Sequence, residues 1–215
     1  MKKLLTFIIA FAIVACNKEN SVSPLLPEIE QQCDTAPHAA YSRLLEIDSE
    51  RELPNEASKA KYALLLTKSA DKAYIRHTSD STIKRALTYY DSNGSTAELA
   101  EAQYYMGSVY RDMYDAPKAV IWYNKAIETA QKDEKLKSSI LLARIYSQLS
   151  ELYDYQFNYT ASLDAIRKAY GIKEMNRKVD ATALHDIASS FHTCGEIDNA
   201  MLYYKRCLLH IEGNN

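Results

Sequence analysis

Apolar positions recur three and four residues apart from about residue 38 to the C-terminus, and no segment alternates convincingly with the period of two that a half-buried strand needs. "PHAAYSRLLEI" and "ASKAKYALLLTKSADKAYI" predict the first two helices, and "DSTIKRALTYYDSNG" predicts the third. Asp80 or Ser81 is placed to cap that third helix, and Gly94 lies just past its end. "STAE" at Ser95 to Glu98 has the form of a capping box, in which the serine oxygen takes a free N–H while the glutamate reaches back; a fourth helix starts there. With five glycines and five prolines, most of them at element ends, the expected fold class is all-α.

The stretch "YYMGSVYRDMYDAPKAVIWYNKAIETA" (Tyr104 to Ala130) reads as two helices, yet Gly107 sits inside the first, where glycine costs about 1 kcal/mol relative to alanine. Counting from Ala100 as position one, Gly107 is position 8, Tyr110 position 11, Ala119 position 20, Tyr123 position 24 and Ala126 position 27. This pattern of small and large residues resembles the tetratricopeptide repeat, a helical hairpin of about 34 residues. The resemblance implies that small residues at 8 and 20 let paired helices approach, while tyrosines at 11 and 24 fill the space between turns.

The pattern recurs at Ser150, Tyr153, Ser162, Ile166 and Ala169, and again at Ala188, Phe191, Ala200, Tyr204 and Cys207. Position 8 advances by 43 and then 38 residues, which implies hairpins with extended helices. Residues 56–91 look like an earlier, degenerate unit. The resemblance covers roughly residues 56–211 and implies a right-handed superhelix of about three to four repeats. "ALLLTKSADKAYIRHTSDSTIKRALTYY" further resembles the opening repeat of bacterial envelope-anchored tetratricopeptide sensors. In those relatives a longer array is followed by a transmembrane helix and a cytoplasmic signalling or DNA-binding segment. Neither follows "HIEGNN" here, which puts a direct signalling output in doubt.

The N-terminus changes the picture. Lys2 and Lys3 precede an uncharged apolar run from Leu4 to Val14, long enough for a signal-peptide core and too short for a comfortable membrane span of about 20 residues. "IVAC" (Ile13 to Cys16) resembles the bacterial lipobox, which implies lipidation of Cys16 and its exposure as the first mature residue. Acyl chains contribute about 0.8 kcal/mol per buried CH₂, so such a residue anchors without a spanning helix. An ordinary secretory signal and an N-terminal membrane anchor are the alternatives. Asn17 stands where an aspartate is the usual inner-membrane retention signal in some bacteria, which leans toward the outer membrane. The expected organisation is a signal peptide over 1–15, a lipidated cysteine and flexible tether over 16–37, an N-terminal helix over 38–55 and the helical array over 56–215.

Loss of residues 1–15 removes Lys2 and Lys3 and no acid, taking the formal charge from −2 to −4. No basic run exists to hold phosphates, so nucleic acid is not an expected partner. Cys33, Cys194 and Cys207 have no repeated spacing and make a poor disulfide framework or zinc site; buried or idle thiols are expected, with a bridge from Cys194 to Cys207 left open. Cys33 is read as part of the tether.

No Gly-rich phosphate loop, nucleophile elbow or His-Glu-x-x-His occurs, so neither an enzyme nor a cofactor is expected. His185, Ser189 and His192 share one helix face at positions 5, 9 and 12, which in tetratricopeptide arrays line the concave groove. The two histidines are two turns, about 10.5 Å, apart along the axis and make a poor chelate, so no metal is expected. The same positions elsewhere hold Tyr104, Ser108 and Arg111, then Ser147, Glu151 and Asp154, with Arg144 and Tyr155 beside them. Such a groove is mixed in charge and carries aromatics, as suits a protein or peptide ligand. The family's clamp of lysines, arginines and asparagines around a C-terminal carboxylate needs residues these positions lack. Most of the seventeen tyrosines are expected in the core.

The last helix, "EIDNAMLYYKRCLLHIE", carries a stripe of Met201, Tyr204, Leu208 and Ile211 as apolar as an internal helix, which points to self-association or partner docking on that flank. The function expected is a non-enzymatic scaffold or adaptor, lipid-anchored in a bacterial envelope. The alternatives are the sensor arm of a signalling system with its output in another chain, and a nutrient- or glycan-binding surface lipoprotein.

Overall fold

The computed structural model describes residues 25–213, and the regular structure among them is entirely helical. The expected signal peptide, Cys16 and the first part of the expected tether lie outside the described residues. Four hairpins follow one another: α4 (Glu56–Lys72) with α5 (Ser81–Asn93), α6 (Thr96–Asp112) with α7 (Ala116–Ala130), α8 (Ile140–Tyr155) with α9 (Tyr159–Met175), and α10 (Ala181–Thr193) with α11 (Ile197–Glu212). Ahead of them lie α1 (Leu26–Thr35), α2 (Pro37–Leu45) and the single turn α3 (Ser49–Glu52).

Local chemistry sets the starts of these helices. Asn55, Ser95, Asp115, Ser139, Asn158 and Asp180 each accept a hydrogen bond from the backbone N–H three residues on, and Ser95 and Glu98 form the complete capping box. Asp80 departs from the expectation: it occupies the N-cap position of α5 without capping, because its carboxylate accepts from the Tyr110 hydroxyl at 2.8 Å.

The first helix of every hairpin ends the same way. Tyr74, Tyr114, Phe157 and Gly195 have φ of 57°, 62°, 59° and 78°, and the next N–H donates to the carbonyl five residues back, on Ala70, Tyr110, Tyr153 and Phe191. Only the fourth turn carries the glycine that adopts this left-handed conformation without strain. The other three hold exposed aromatics there, at a cost of about 1–2 kcal/mol each.

Within the hairpins the small residues set helix separation. A Cβ on Gly107 would lie 2.5 Å from the Tyr123 ring, and that ring is fully buried with its hydroxyl 3.3 Å from Ser108 Oγ. Ser150 and Ser162 meet at 2.9 Å at positions 8 and 20 of the next hairpin, each satisfying the other inside the core. Ala119, Ala126, Ala169, Ala188, Phe191 and Ala200 are buried as expected. Tyr110, Tyr153 and Tyr204 are only half-buried, so position 11 is fully covered only at Phe191. Tyr110 carries the Lys118 ammonium over its ring as well as the bond to Asp80.

The expected flexible tether to Pro37 is corrected. Over residues 26–35 the chain forms α1, whose Leu26, Ile29 and Cys33 are buried against Ala40 and Leu44 of α2, Leu53 and Leu65. Cys33 is therefore a core thiol, and burial pushes its pKa up to about 11. Salt bridges run along the contact with α4: Glu30 to Lys61 at 2.6 Å and Asp34 to Lys72 at 2.5 Å, with buried Lys68 bridging Asp34 and Glu101 of α6. A ten-residue helix is marginal alone, so α1 forms because α4 covers it. Cys194 and Cys207 are free thiols in this structure.

Two stability changes of opposite sign follow. Gly107→Ala is expected to destabilise, because overpacking of about 1–3 kcal/mol outweighs the helix-propensity gain of about 1 kcal/mol. Phe157→Gly relieves a left-handed aromatic and is expected to stabilise by up to about 1 kcal/mol. Urea unfolding of both variants checks the pair.

Candidate functional site

The first helices of the hairpins, α4, α6, α8 and α10, present one face each to a shared groove, and a polar knot joins three of them. Arg111 of α6 donates to Asp71 of α4 at 2.8 Å, to Asp112 at 2.8 Å, and to Gln148 of α8. Burial opposes the charge on Arg111, yet Tyr123, Asp71 and Asp112 together hold its pKa above the ordinary guanidinium value. Asp112 also accepts from the backbone N–H of His77 at 3.1 Å, and its carbonyl accepts from Arg76 Nε. Burial lowers the pKa of His77 against the pull of Asp112 and Asp71, and its Nε2 is buried without a partner. The imidazole is therefore neutral in the folded chain at pH 7.

Beside this knot lies a basin of about 550 Å³ bounded by α1, α4, α6 and α8. Asp34, Asp71 and Lys72 form one side, Tyr104 and Arg111 the floor, and Arg144, Gln148 and Glu151 the other side. Among the described residues, the half-buried Arg144 guanidinium makes no hydrogen bond and no ion pair within 4 Å, but at longer range, against the opposing effect of burial, its charge joins Lys72 and Lys68 in lowering the Asp34 pKa. A second basin of about 250 Å³ runs between α8 and α10, lined by Ser147, Glu151 and Asp154 on one side and His185, Asp186 and Ser189 on the other. Gln148 and Glu151 belong to both, so the basins meet along α8. Burial raises the pKa of Asp186, whose carboxylate lies 3.6 Å from His185 Nδ1.

The candidate residues separate by accessibility. Arg144, Glu151, His185 and Ser189 line the basins with accessible surface. Tyr104 and Ser108 are corrected: Tyr104 is 2% exposed, packed on Tyr105 and Tyr123, and Ser108 is fully buried against Tyr123. Burial pushes the Tyr104 phenol up to about 12, so it stays neutral. Close packing at Gly107 draws Tyr104 and Ser108 inward with it. Arg111 reaches the basin but is engaged on every side. Tyr155 and His192 are exposed and line neither basin. Sequence reasoning missed Gln148, Lys72 and Asp186; Gln148 is one helical turn after Arg144 and one before Glu151, a spacing that could have found it. On α11, Met201, Leu208 and Ile211 are about half exposed, with Leu202 and Leu209 beside them, while Tyr204 is half-buried with its ring edge-on to His185.

Among the described residues no group of three or more His, Cys, Asp or Glu is placed to hold a metal ion, and no helix is long and apolar enough to cross a membrane.

His77 makes stability depend on pH. Its folded pKa lies below the 6.5 of the free side chain, so its contribution is complete above about pH 6.5 and is lost as pH falls through the lower folded value. Thermal unfolding at pH 7.5 and 5.5 is expected to show a fall in midpoint that shrinks in His77→Asn.

Residues 181–209, which span α10 and most of α11, match the family model described as tetratricopeptide repeat. The matched unit is the last one, whereas the spacing around Gly107 is the more regular to the eye. No curated protein matches the chain. Solved structures similar to it include BtubC (BKLC) from P. vanneervenii, with a TM-score of 0.67 at 16% identity over 90% of this chain and 82% of that one. The apo form of RapI has a TM-score of 0.68 at 14% identity, over 88% of this chain and 71% of that one. MamA has a TM-score of 0.56 at 20% identity, over 87% and 93%. Identities this low speak for fold alone, and with four stacked hairpins and a matching final unit, the described chain has the fold of a tetratricopeptide-type helical solenoid.

Proposed function

We propose that this protein is a non-enzymatic scaffold that receives a peptide or protein segment in the groove formed by α4, α6, α8 and α10. The observation that carries the reading is the Arg144 guanidinium, which lines the larger basin without a hydrogen bond or close ion pair and feels Asp34 only at longer range, while the other charged groups there are largely engaged with one another. A charged side chain without a hydrogen bond in a concavity is where an incoming carboxylate or carbonyl gains most, because the groove walls reduce competition from water. Helical solenoids of this type commonly serve protein interaction, which supports the class of ligand and leaves its identity to experiment.

The proposal includes a lipid anchor at Cys16 in a bacterial envelope, supported by "IVAC" after a short apolar run, with the outer membrane favoured by Asn17. An output carried by another chain and a second copy docked on the exposed face of α11 are compatible with the same groove.

Capture from envelope extracts with residues 17–215 tests the groove. A partner held by the native sequence is expected to weaken at least about tenfold with Arg144→Glu combined with Glu151→Lys, since both positions are accessible and neither supports the core. A partner held equally by both would remove the groove from the function. Metabolic labelling with palmitate is expected to mark the native chain and not Cys16→Ala, which would be released from the membrane fraction.

A further inference from the structure

A groove of about 590 Å³ lies on another side of α6, between α5 and α7. Its α6 residues, Leu99, Gln103, Met106 and Tyr110, are turned roughly 130° around the helix from Tyr104, Ser108 and Arg111, given about 100° per residue. It is therefore separate from the basins above. The volume falls in the range of about 300–1,000 Å³ typical of ligand sites.

The floor is apolar except at one point. Leu87 and Met106 are buried there, and between them Gln103 is 9% exposed with its Oε1 closed to water and without a hydrogen-bond partner. An orphaned buried amide oxygen is destabilising, and an apolar residue of similar shape would remove that cost. Nothing in the packing of α6 requires glutamine here: its neighbours on the same face are Leu99, Met106 and Tyr110, which fill the seam with carbon. Trp122 forms the wall on α7, with the Lys125 ammonium 4.2 Å from its ring centre. On the α5 rim, Lys84 and Asp91 are exposed, while Asp80 is held by Tyr110.

We propose that this groove is a second binding site, which takes an extended peptide segment with an apolar side chain against Trp122 and Met106 and a backbone amide paired with Gln103. A primary amide offers donor and acceptor together, which is the complement of a peptide unit and of little use to a purely apolar ligand. Rotation of the terminal amide is a soft motion, so the oxygen can turn from its closed position toward an incoming N–H while the NH₂ meets a carbonyl. The rim from Asp80 to Asp91 is about 16 Å long at 1.5 Å per helical residue, which matches about five residues of extended chain at about 3.3 Å each.

Trp122 is the single tryptophan of the chain and reports directly on this groove. The test titrates the full chain with a pool of N-acetylated, C-amidated pentapeptides carrying Leu, Phe or Met at the centre, followed by selective excitation of the indole. A saturable change is expected for the native protein and for Arg144→Glu. With Gln103→Leu it is expected to weaken at least about tenfold, while the thermal midpoint of that variant stays level or rises, which separates loss of binding from loss of fold. The same pool N-methylated at the central residue is expected to bind more weakly to the native protein only. Equal affinity for Gln103→Leu, a loss with Arg144→Glu instead, or no saturable change up to millimolar peptide would each overturn the proposal.

Discussion

The contact between Gly107 and Tyr123 sets the distance at which α6 and α7 lie, and the surrounding structure follows from that distance. With no Cβ at 107, the tyrosine ring is accepted into the interface and fully buried, and its hydroxyl reaches Ser108. Close approach then draws Tyr104 and Ser108 inside, leaving the next turn of the same face, Arg111, to reach across to α4 and α8. The neighbouring hairpin crosses at two serines that satisfy each other, a polar solution to the same steric demand. Stacking of such units is nearly one-dimensional, so each hairpin is held chiefly by the one before and the one after it.

Stacking also explains where charge is placed. The Arg111 knot and the Lys68 bridge both sit where three elements meet, and each joins helices distant in sequence. Such groups are largely removed from water and are tolerable only because their partners are in place. Arg144 lies one hairpin further along without a hydrogen bond, and Gln103 lies on the far side of α6 with its Oε1 unbonded. The two therefore mark different surfaces. One is a charge facing a concave basin, the other an amide in an apolar seam, and their preferred ligands differ accordingly.

The turns show how local and tertiary demands diverge. The backbone after α4, α6, α8 and α10 needs a left-handed residue to release the chain toward the next helix, yet glycine stands there only at Gly195. Tyr74, Tyr114 and Phe157 accept the strain and remain exposed. Arg76 covers the Tyr114 ring at 4.2 Å, which offsets part of the cost in that turn. A turn reading based on glycine alone finds one of these four ends.

Much of the helical framework was legible in the residues themselves, because caps, apolar spacing and small residues at fixed distances are local chemistry. Ser95 and Glu98 cap α6 whatever surrounds them, and Gly107 inside a helix announces a close neighbour before that neighbour is known. Helix α1 was not legible: Leu26, Ile29 and Cys33 are apolar at helical spacing, but prolines flank a segment too short to hold itself, and only the covering face of α4 decides its state. Accessibility was beyond the sequence for the same reason. Positions 104, 108 and 111 look equivalent along a helix face, yet the depth of each depends on how near the next helix comes. Thus the sequence alone determined an all-helical chain built from hairpins with small residues at their crossings. Tertiary structure decided which polar side chains were consumed in holding hairpins together and which, like the Arg144 guanidinium and the Gln103 amide oxygen, were left without a hydrogen bond, because such bonds depend on distances between elements that no local pattern contains.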